Sequence, residues 1–138
     1  MWRPSNQFFV LKVLSMLCIF LGASQSVCAQ KLPRITGTYT DMRYIKESGD
    51  VIGWEIKIVF TGSAFQGVVQ IAEGVPGELA IVDINVDGTK ISFSMQGPSS
   101  YNGKFSGTIE NGLLRGEFRF KDGVVESVAL QRGKSYWD

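Results

Sequence analysis

From Trp54 onward, apolar residues recur at every second position of the chain, and short polar segments rich in glycine interrupt them. Trp54, Ile56 and Ile58 alternate with Glu55 and Lys57, for example, and the same period returns in the later segments. A two-residue period places alternate side chains on opposite faces of an extended strand. The pattern therefore predicts antiparallel strands, each with one apolar and one polar face.

Turn residues divide the chain into a series of such strands. Asp-Gly at 87–88 and 122–123, and Asn-Gly at 102–103 and 111–112, separate alternating segments. These dipeptides are the strongest short hairpin signals, because both central residues of the favoured tight turn have positive φ. With an opening strand over residues 35–44, the sequence predicts eight strands joined by consecutive hairpins, and almost no helix.

Eight strands joined by consecutive hairpins leave two exposed sheet edges unless the first strand pairs with the last. Closure removes both edges, so we expect an all-β fold, an eight-stranded antiparallel up-and-down (meander) barrel. Glycines within the predicted strands favour closure because they let a sheet bend sharply at barrel corners. They are Gly37, Gly53, Gly67, Gly107 and Gly116. The alternative is an open meander in which some of these glycines mark β-bulges.

Large aromatic side chains fall on the strand faces that should point inward. The candidate ligand-binding residues among them are Trp54, Phe93, Phe105 and Phe118. Phe60 and Phe120 are also on these inward faces. The interior of an eight-stranded barrel is either filled by side chains or holds one small ligand. The sequence leaves both arrangements open.

Glu126 is the one carboxylate in phase with an apolar face, which it shares with Val128 and Leu130. If it is buried, its pKa should rise and it could orient a ligand. The alternative is a position in water at a barrel mouth, or a phase shifted by a bulge.

The first 29 residues have the pattern of a secretory signal. A start with two basic residues and no acid precedes an apolar run of eleven at 13–23, and residues 27–29 resemble a cleavage site. We therefore predict cleavage after Ala29, a single barrel domain at 30–138, and a periplasmic or extracellular location. Eleven residues are too few to span a bilayer. Lipidation at Cys28 is the alternative, although the residues before it depart from the usual lipidation pattern.

Composition removes several chemistries. The chain has no His, and both of its Cys residues, Cys18 and Cys28, lie in the predicted signal. Metal, haem and iron–sulfur sites built on these residues are excluded from the domain, so we expect no cofactor. Nucleophile activation also lacks its usual bases, and we predict that the protein is not an enzyme. The net charge is +1 and no run of Lys or Arg occurs, so nucleic acid is not expected as a partner.

The first and last strands of the predicted barrel resemble a known family. Gly37-Thr38-Tyr39 opens the first strand like the Gly-x-Trp segment of the calycins, the lipocalin-like and avidin-like small barrels, and Arg132 ends the last strand. The resemblance implies that Arg132 packs over Tyr39 and closes one end of the barrel. Such a cation–π contact contributes about 0.5–2 kcal/mol.

Three classes of function remain open. The first is an exported, non-enzymatic barrel that binds a small apolar or amphipathic ligand inside. The second is a surface-binding or inhibitor module that contacts another protein or an envelope polymer through its loops. Arg43, Tyr44 and Tyr101 are candidates for that surface, since aromatics beside Arg are common at interfaces. Tyr136 and Trp137 either add to it or form a loose tail. The third class, a barrel cyclase or isomerase, is disfavoured because acid–base groups are scarce.

Overall fold

The structure, a computed structural model, describes residues 34–96 and 101–138. In this part of the chain every regular element is a β-strand. The strands are β1 (Gly37–Thr40), β2 (Arg43–Ile45), β3 (Asp50–Phe60), β4 (Phe65–Gly74), β5 (Ala80–Asp87), β6 (Lys90–Met95), β7 (Gly103–Glu110), β8 (Leu113–Phe120) and β9 (Val125–Gly133). The signal predicted for residues 1–29 lies outside the described residues.

The sheet closes on itself. From β2 to β9, consecutive strands pair antiparallel, and β1 pairs with both β9 and β3. β1 and β2 both pair with β3 and are separated only by Asp41 and Met42, so together they take the place of the single opening strand predicted over 35–44. The fold is therefore the closed, eight-stranded antiparallel barrel that the sequence predicts, and the open meander is excluded.

The interruption between β1 and β2 has a local cause. The backbone N–H of Trp54 donates to Asp41 Oδ1 at 2.7 Å, while the N–H of Asp41 donates to the carbonyl of Trp54 at 3.1 Å. A carboxylate thus replaces a backbone carbonyl as acceptor at this point, and the regular ladder between the strands breaks.

Inward-facing side chains fill the barrel. The largest fully buried ones are Tyr39, Phe105, Phe118, Ile56, Ile58, Ile91, Leu114, Leu130 and Val69. The Phe93 and Phe105 rings stack with centroids 4.9 Å apart, and the Trp54 and Phe118 rings are tilted with centroids at 5.3 Å. These contacts join residues from four strands in one apolar core.

Two facing glycines let β7 and β8 pass close beneath the ring of Phe105. Gly107 and Gly116 face one another in the register of β7 and β8, and a Cβ on Gly116 would lie 2.5 Å from Phe105 Cζ. The Phe105 ring therefore covers this pair from inside, an arrangement that compensates for missing side chains in a curved sheet.

One aromatic residue departs from the inward set that the sequence predicts, and a second, Phe120, packs against the core from the end of its strand. Phe60 is 54% exposed, because it ends β3 beyond Ile58, the last residue of that strand covered by β1. Its ring packs against the Phe65 ring instead, with the two centroids 5.0 Å apart. Phe120 ends β8 and is half-buried, with its ring edge-on to Phe118 at 4.8 Å.

Candidate functional site

One end of the barrel, here called the Arg132 end, is organised by a cross-strand pair. Tyr39 and Arg132 are opposite one another in β1 and β9, and Arg132 Cζ lies 5.6 Å from the centroid of the Tyr39 ring. Arg132 Nη1 donates to the carbonyl of Arg34 at 3.1 Å, and the Tyr39 hydroxyl donates to the carbonyl of Ile35 at 2.8 Å. The segment that enters β1 is thereby held against this end, with Arg132 over Tyr39 as the calycin resemblance implies.

Burial raises the pKa of Tyr39, and the positive charges of Arg132 and Arg34 oppose that rise only in part. The space for the guanidinium comes from Gly37. A Cβ on Gly37 would lie 2.7 Å from Arg132 Nη2, and Gly37 has a φ of +145°.

The opposite end, here called the Trp54 end, carries the candidate residue Glu126. Trp54 is buried, and its Nε1 donates to Glu126 Oε1 at 2.9 Å. Glu126 is half-buried and lies beside a recess of about 390 Å³, whose walls also include Asp41, Arg43 and Glu73. Glu126 therefore combines both positions considered for it: the inward phase of β9 and the mouth of the barrel.

Tyr101 also belongs to the Trp54 end. Burial raises its pKa, as do a hydrogen bond with Glu73 and the negative charges of Glu73 and Glu126. Tyr101 is half-buried, packs against the core and lies next to Gly77. Tyr101 is thus turned into the barrel end, and it offers less free surface than the sequence suggests.

The other two candidates for a partner surface are exposed. Tyr44 is 53% exposed on β2, and Arg43 Nη1 reaches only its neighbour, the carbonyl of Asp41, at 3.4 Å. Tyr44 pairs with Val51 on the outer side of the hairpin formed by β2 and β3. The structure therefore leaves Arg43 and Tyr44 accessible. Arg43 shares the Trp54 end with Tyr101, because Glu73, which is hydrogen-bonded to Tyr101, lines the same recess as Arg43.

The four aromatic candidates for ligand binding lie together inside the barrel. Trp54, Phe93, Phe105 and Phe118 are each at most 4% exposed, and they form the two ring pairs described above. A cavity large enough for water would leave part of such rings accessible. Their low exposure indicates that neighbouring side chains surround them.

A C-terminal tail, residues 134–138, is docked on the outside of the barrel. The Ser135 hydroxyl donates to Glu55 Oε1 at 2.6 Å, and the N–H of Tyr136 donates to Glu55 Oε2 at 2.7 Å. Trp137 Nε1 donates to Gln70 Oε1 at 2.8 Å. Glu55 points outward as its phase predicts, yet it is only 8% exposed because the tail covers it. The tail is therefore an ordered part of the surface.

Next to this tail the outer face of β4 and β5 presents an apolar patch, defined as Val68, Leu79, Ile81 and Trp137. Val68 and Ile81 are a direct cross-strand pair, and Leu79 lies immediately before the start of β5 at Ala80. Gln70, which accepts the hydrogen bond from Trp137, lies on the same face of β4 as Val68. Ile81, Leu79 and Trp137 are 78%, 63% and 57% exposed. Sequence reasoning missed this patch, whose only signal was the apolar Ile81 in a polar phase.

The fold and these surfaces define a closed antiparallel β-barrel with a packed interior and an ordered tail. No protein-family model, curated protein or solved structure matches the chain. Within residues 34–96 and 101–138, no group of three or more acidic or thiol side chains is arranged to hold a metal ion. Over the same residues no helix is long and apolar enough to cross a membrane.

Proposed function

We propose that this protein is a non-catalytic binding module that contacts another protein through the apolar patch. The observation that carries the proposal is the exposure of three large apolar side chains: Ile81 on β5, Leu79 just before β5, and Trp137, which is held by Gln70 of β4. Contiguous exposed apolar side chains bordered by polar ones are typical of interaction sites. Gln66 and Asp83 border this patch along β4 and β5, where they are hydrogen-bonded to each other at 3.2 Å.

Trp137 supports the proposal because it is both exposed and held in place. Its indole N–H is bound to Gln70, and Glu55 anchors the two residues before it. Tryptophan is enriched among residues that dominate binding energy, and a side chain fixed in advance loses less entropy on binding. The patch therefore combines a rigid anchor with a flat apolar surround.

Ligand binding inside the barrel has less support. The rings that would line such a site already pack against one another, so a ligand would have to displace Trp54 or Phe118 from contacts that stabilise the core. The recess beside Glu126 is a surface feature with three carboxylates and one guanidinium in its walls, which suits polar groups better than an apolar ligand.

The test is photo-crosslinking in cells that make the protein, with a photoreactive phenylalanine analogue at position 81. We expect one discrete adduct with a second protein, and we expect its loss when Leu79→Asp is added. Position 124, whose native Val is 58% exposed on the turn between β8 and β9, is the matched control and should not give that adduct.

Three results would contradict the proposal: no discrete adduct from position 81, an adduct that persists with Leu79→Asp, or an adduct containing only this chain. A separate measurement addresses the interior. Fluorescence of an anilinonaphthalene dye with the native protein should fall with Leu79→Asp and persist with Trp54→Ala, whereas strong native-state fluorescence that Trp54→Ala abolishes would favour the internal ligand site.

A further inference from the structure

We propose that the outer face of β6, β7 and β8 binds an acidic polysaccharide. We call this surface the basic groove and define it by five cations: Lys90, Lys104, Arg115, Arg119 and Lys121. It lies on different strands from the apolar patch, so this inference does not depend on the protein-binding function proposed above.

The strand register assembles the groove from residues that are far apart in sequence. Thr108 pairs with Lys90 on one side and with Arg115 on the other, and Lys104 pairs with Arg119. Neighbouring strands are about 4.8 Å apart, and Arg115 and Arg119 are separated by about 13 Å along β8. The cations therefore form a block on one face, although the sequence contains no run of Lys or Arg.

The block contains a continuous depression. Three adjoining hollows of about 560, 420 and 550 Å³ follow one another along these strands. The first two share Ser92 and Ser106 in their linings, and the second and third share Ser94 and Lys104. Together they span the whole of β6, about 20 Å at the usual rise of a strand. A groove of this length suits several units of a linear polymer better than one small molecule.

The groove carries a net positive charge. Five cations line it against two acids, Asp87 and Glu117. In the described part of the chain, none of the five cationic side chains has an ion pair or hydrogen bond with the protein. Cations free of protein partners can bind an anionic polymer without first breaking an internal contact, and they gain from the release of its counterions.

The floor of the groove favours a polysaccharide among anionic polymers. It carries four hydroxyl side chains with no protein hydrogen-bond partner in the described part of the chain: Ser92, Ser94, Ser106 and Thr108. Hydroxyls between cations match a chain that bears both acidic groups and hydroxyls. Phe120, at one end of the groove, is engaged with Phe118 and so gives no free platform for stacking nucleic-acid bases. None of the exposed large apolar side chains of the described residues lines the groove, which counts against insertion into a membrane.

The experiment measures binding of the full chain to fluorescently labelled polygalacturonate and dextran sulfate at low salt, with neutral dextran of equal length as control. We expect both acidic polymers to bind and neutral dextran not to bind. The triple variant Lys104→Gln, Arg115→Gln, Arg119→Gln should weaken binding about tenfold or more and reduce the salt dependence by about two to three counterions. A matched triple variant, Lys46→Gln, Lys57→Gln, Lys134→Gln, removes the same charge from exposed positions elsewhere and should stay within about twofold of the native protein.

Three outcomes would overturn the proposal. The first is no binding of either acidic polymer. The second is an equal loss of affinity in the two triple variants, which would mean that net charge alone is responsible. The third is tighter binding of a DNA duplex, or of vesicles containing phosphatidylglycerol, than of the polysaccharides. Melting curves and far-ultraviolet spectra of the variants check that each is folded. Leu79→Asp should leave polysaccharide binding unchanged, which separates this test from that of the apolar patch.

Discussion

Gly37 leaves room for the charged side chain of Arg132 because it has no side chain of its own. The Arg132 guanidinium occupies the space where a Cβ would stand, over the Tyr39 ring. This arrangement could be expected from the sequence, because a short motif in the first strand and a single Arg in the last strand carry it.

We predict that Gly37→Ala lowers the free energy of unfolding by about 1–3 kcal/mol, since it adds a clash with Arg132 to an unfavourable φ. Gly133→Ala is the matched control, because nothing lies within 4 Å of the added Cβ. Urea unfolding of both variants measures the difference. Equal stability of the two variants would show that Arg132 moves aside without cost.

The burial of Glu55 could not be predicted from the residues around it in the sequence. Its position in the alternating pattern gives the correct face of β3, but its burial depends on a tail from the other end of the chain. No local pattern around Glu55 or Ser135 encodes that contact, because only the closed barrel brings β9 close to β3.

Among the elements, the strands could be predicted because the two-residue period acts locally. The turn signals were correct only in part: Gly103 lies within β7, and of the four Asn-Gly and Asp-Gly pairs only Asn111-Gly112 has positive φ at both residues. Asn111 and Gly112 have φ of 51° and 78°, as the tight turn between β7 and β8 requires. The break between β1 and β2 could not be predicted. It arises from a hydrogen bond between Asp41 and the backbone of Trp54, which lies in a different strand.

The C-terminal tail is the element that most depends on one side chain. We predict that Glu55→Ala lowers the free energy of unfolding by about 1–3 kcal/mol, because it removes the acceptor for both Ser135 and Tyr136. Amide hydrogen exchange at Tyr136 should accelerate, and the emission of Trp137 should change.

Glu117→Ala is the control for this prediction, since Glu117 is exposed on the outer face of β8. It should leave both the tail and the stability nearly unchanged. Unaltered exchange at Tyr136 in Glu55→Ala would mean that Trp137 and Gln70 alone hold the tail.

For the whole molecule, closure could be predicted because eight strands joined by hairpins leave two edges that only the first and last strands can cover. The apolar patch and the basic groove could not be predicted from the sequence. Lys104 and Arg119 are fifteen positions apart in the chain and adjacent in the sheet, so a basic face forms without any basic segment. Whether the interior is filled or hollow was also undecided, because strand count alone permits both.

The buried phenol of Tyr39 makes the stability of the whole barrel vary with pH in the alkaline range. Its pKa is raised above the ordinary value of 10.0, so the unfolded chain loses this proton at a lower pH than the folded chain does. The contribution is therefore fully present below about pH 10 and is lost as pH rises through the higher pKa of the folded state.

We predict that the free energy of unfolding falls less steeply above pH 10 in Tyr39→Phe than in the native protein. Tyr44→Phe, which alters an exposed tyrosine, should follow the native curve. Urea unfolding between pH 8 and 11 makes the comparison. Parallel curves for all three proteins would exclude Tyr39 as the source of the dependence.

The seam between β1 and β9 also determines when the barrel can be completed. β1 pairs with β3 on one side and with β9 on the other, so its second edge stays unpaired until β9, the last strand of the barrel, has been synthesised. Pairing of segments so distant in sequence slows folding, and the unpaired edges are exposed to other chains during that interval. The barrel therefore passes through its period of greatest risk of aggregation just before its last strand arrives.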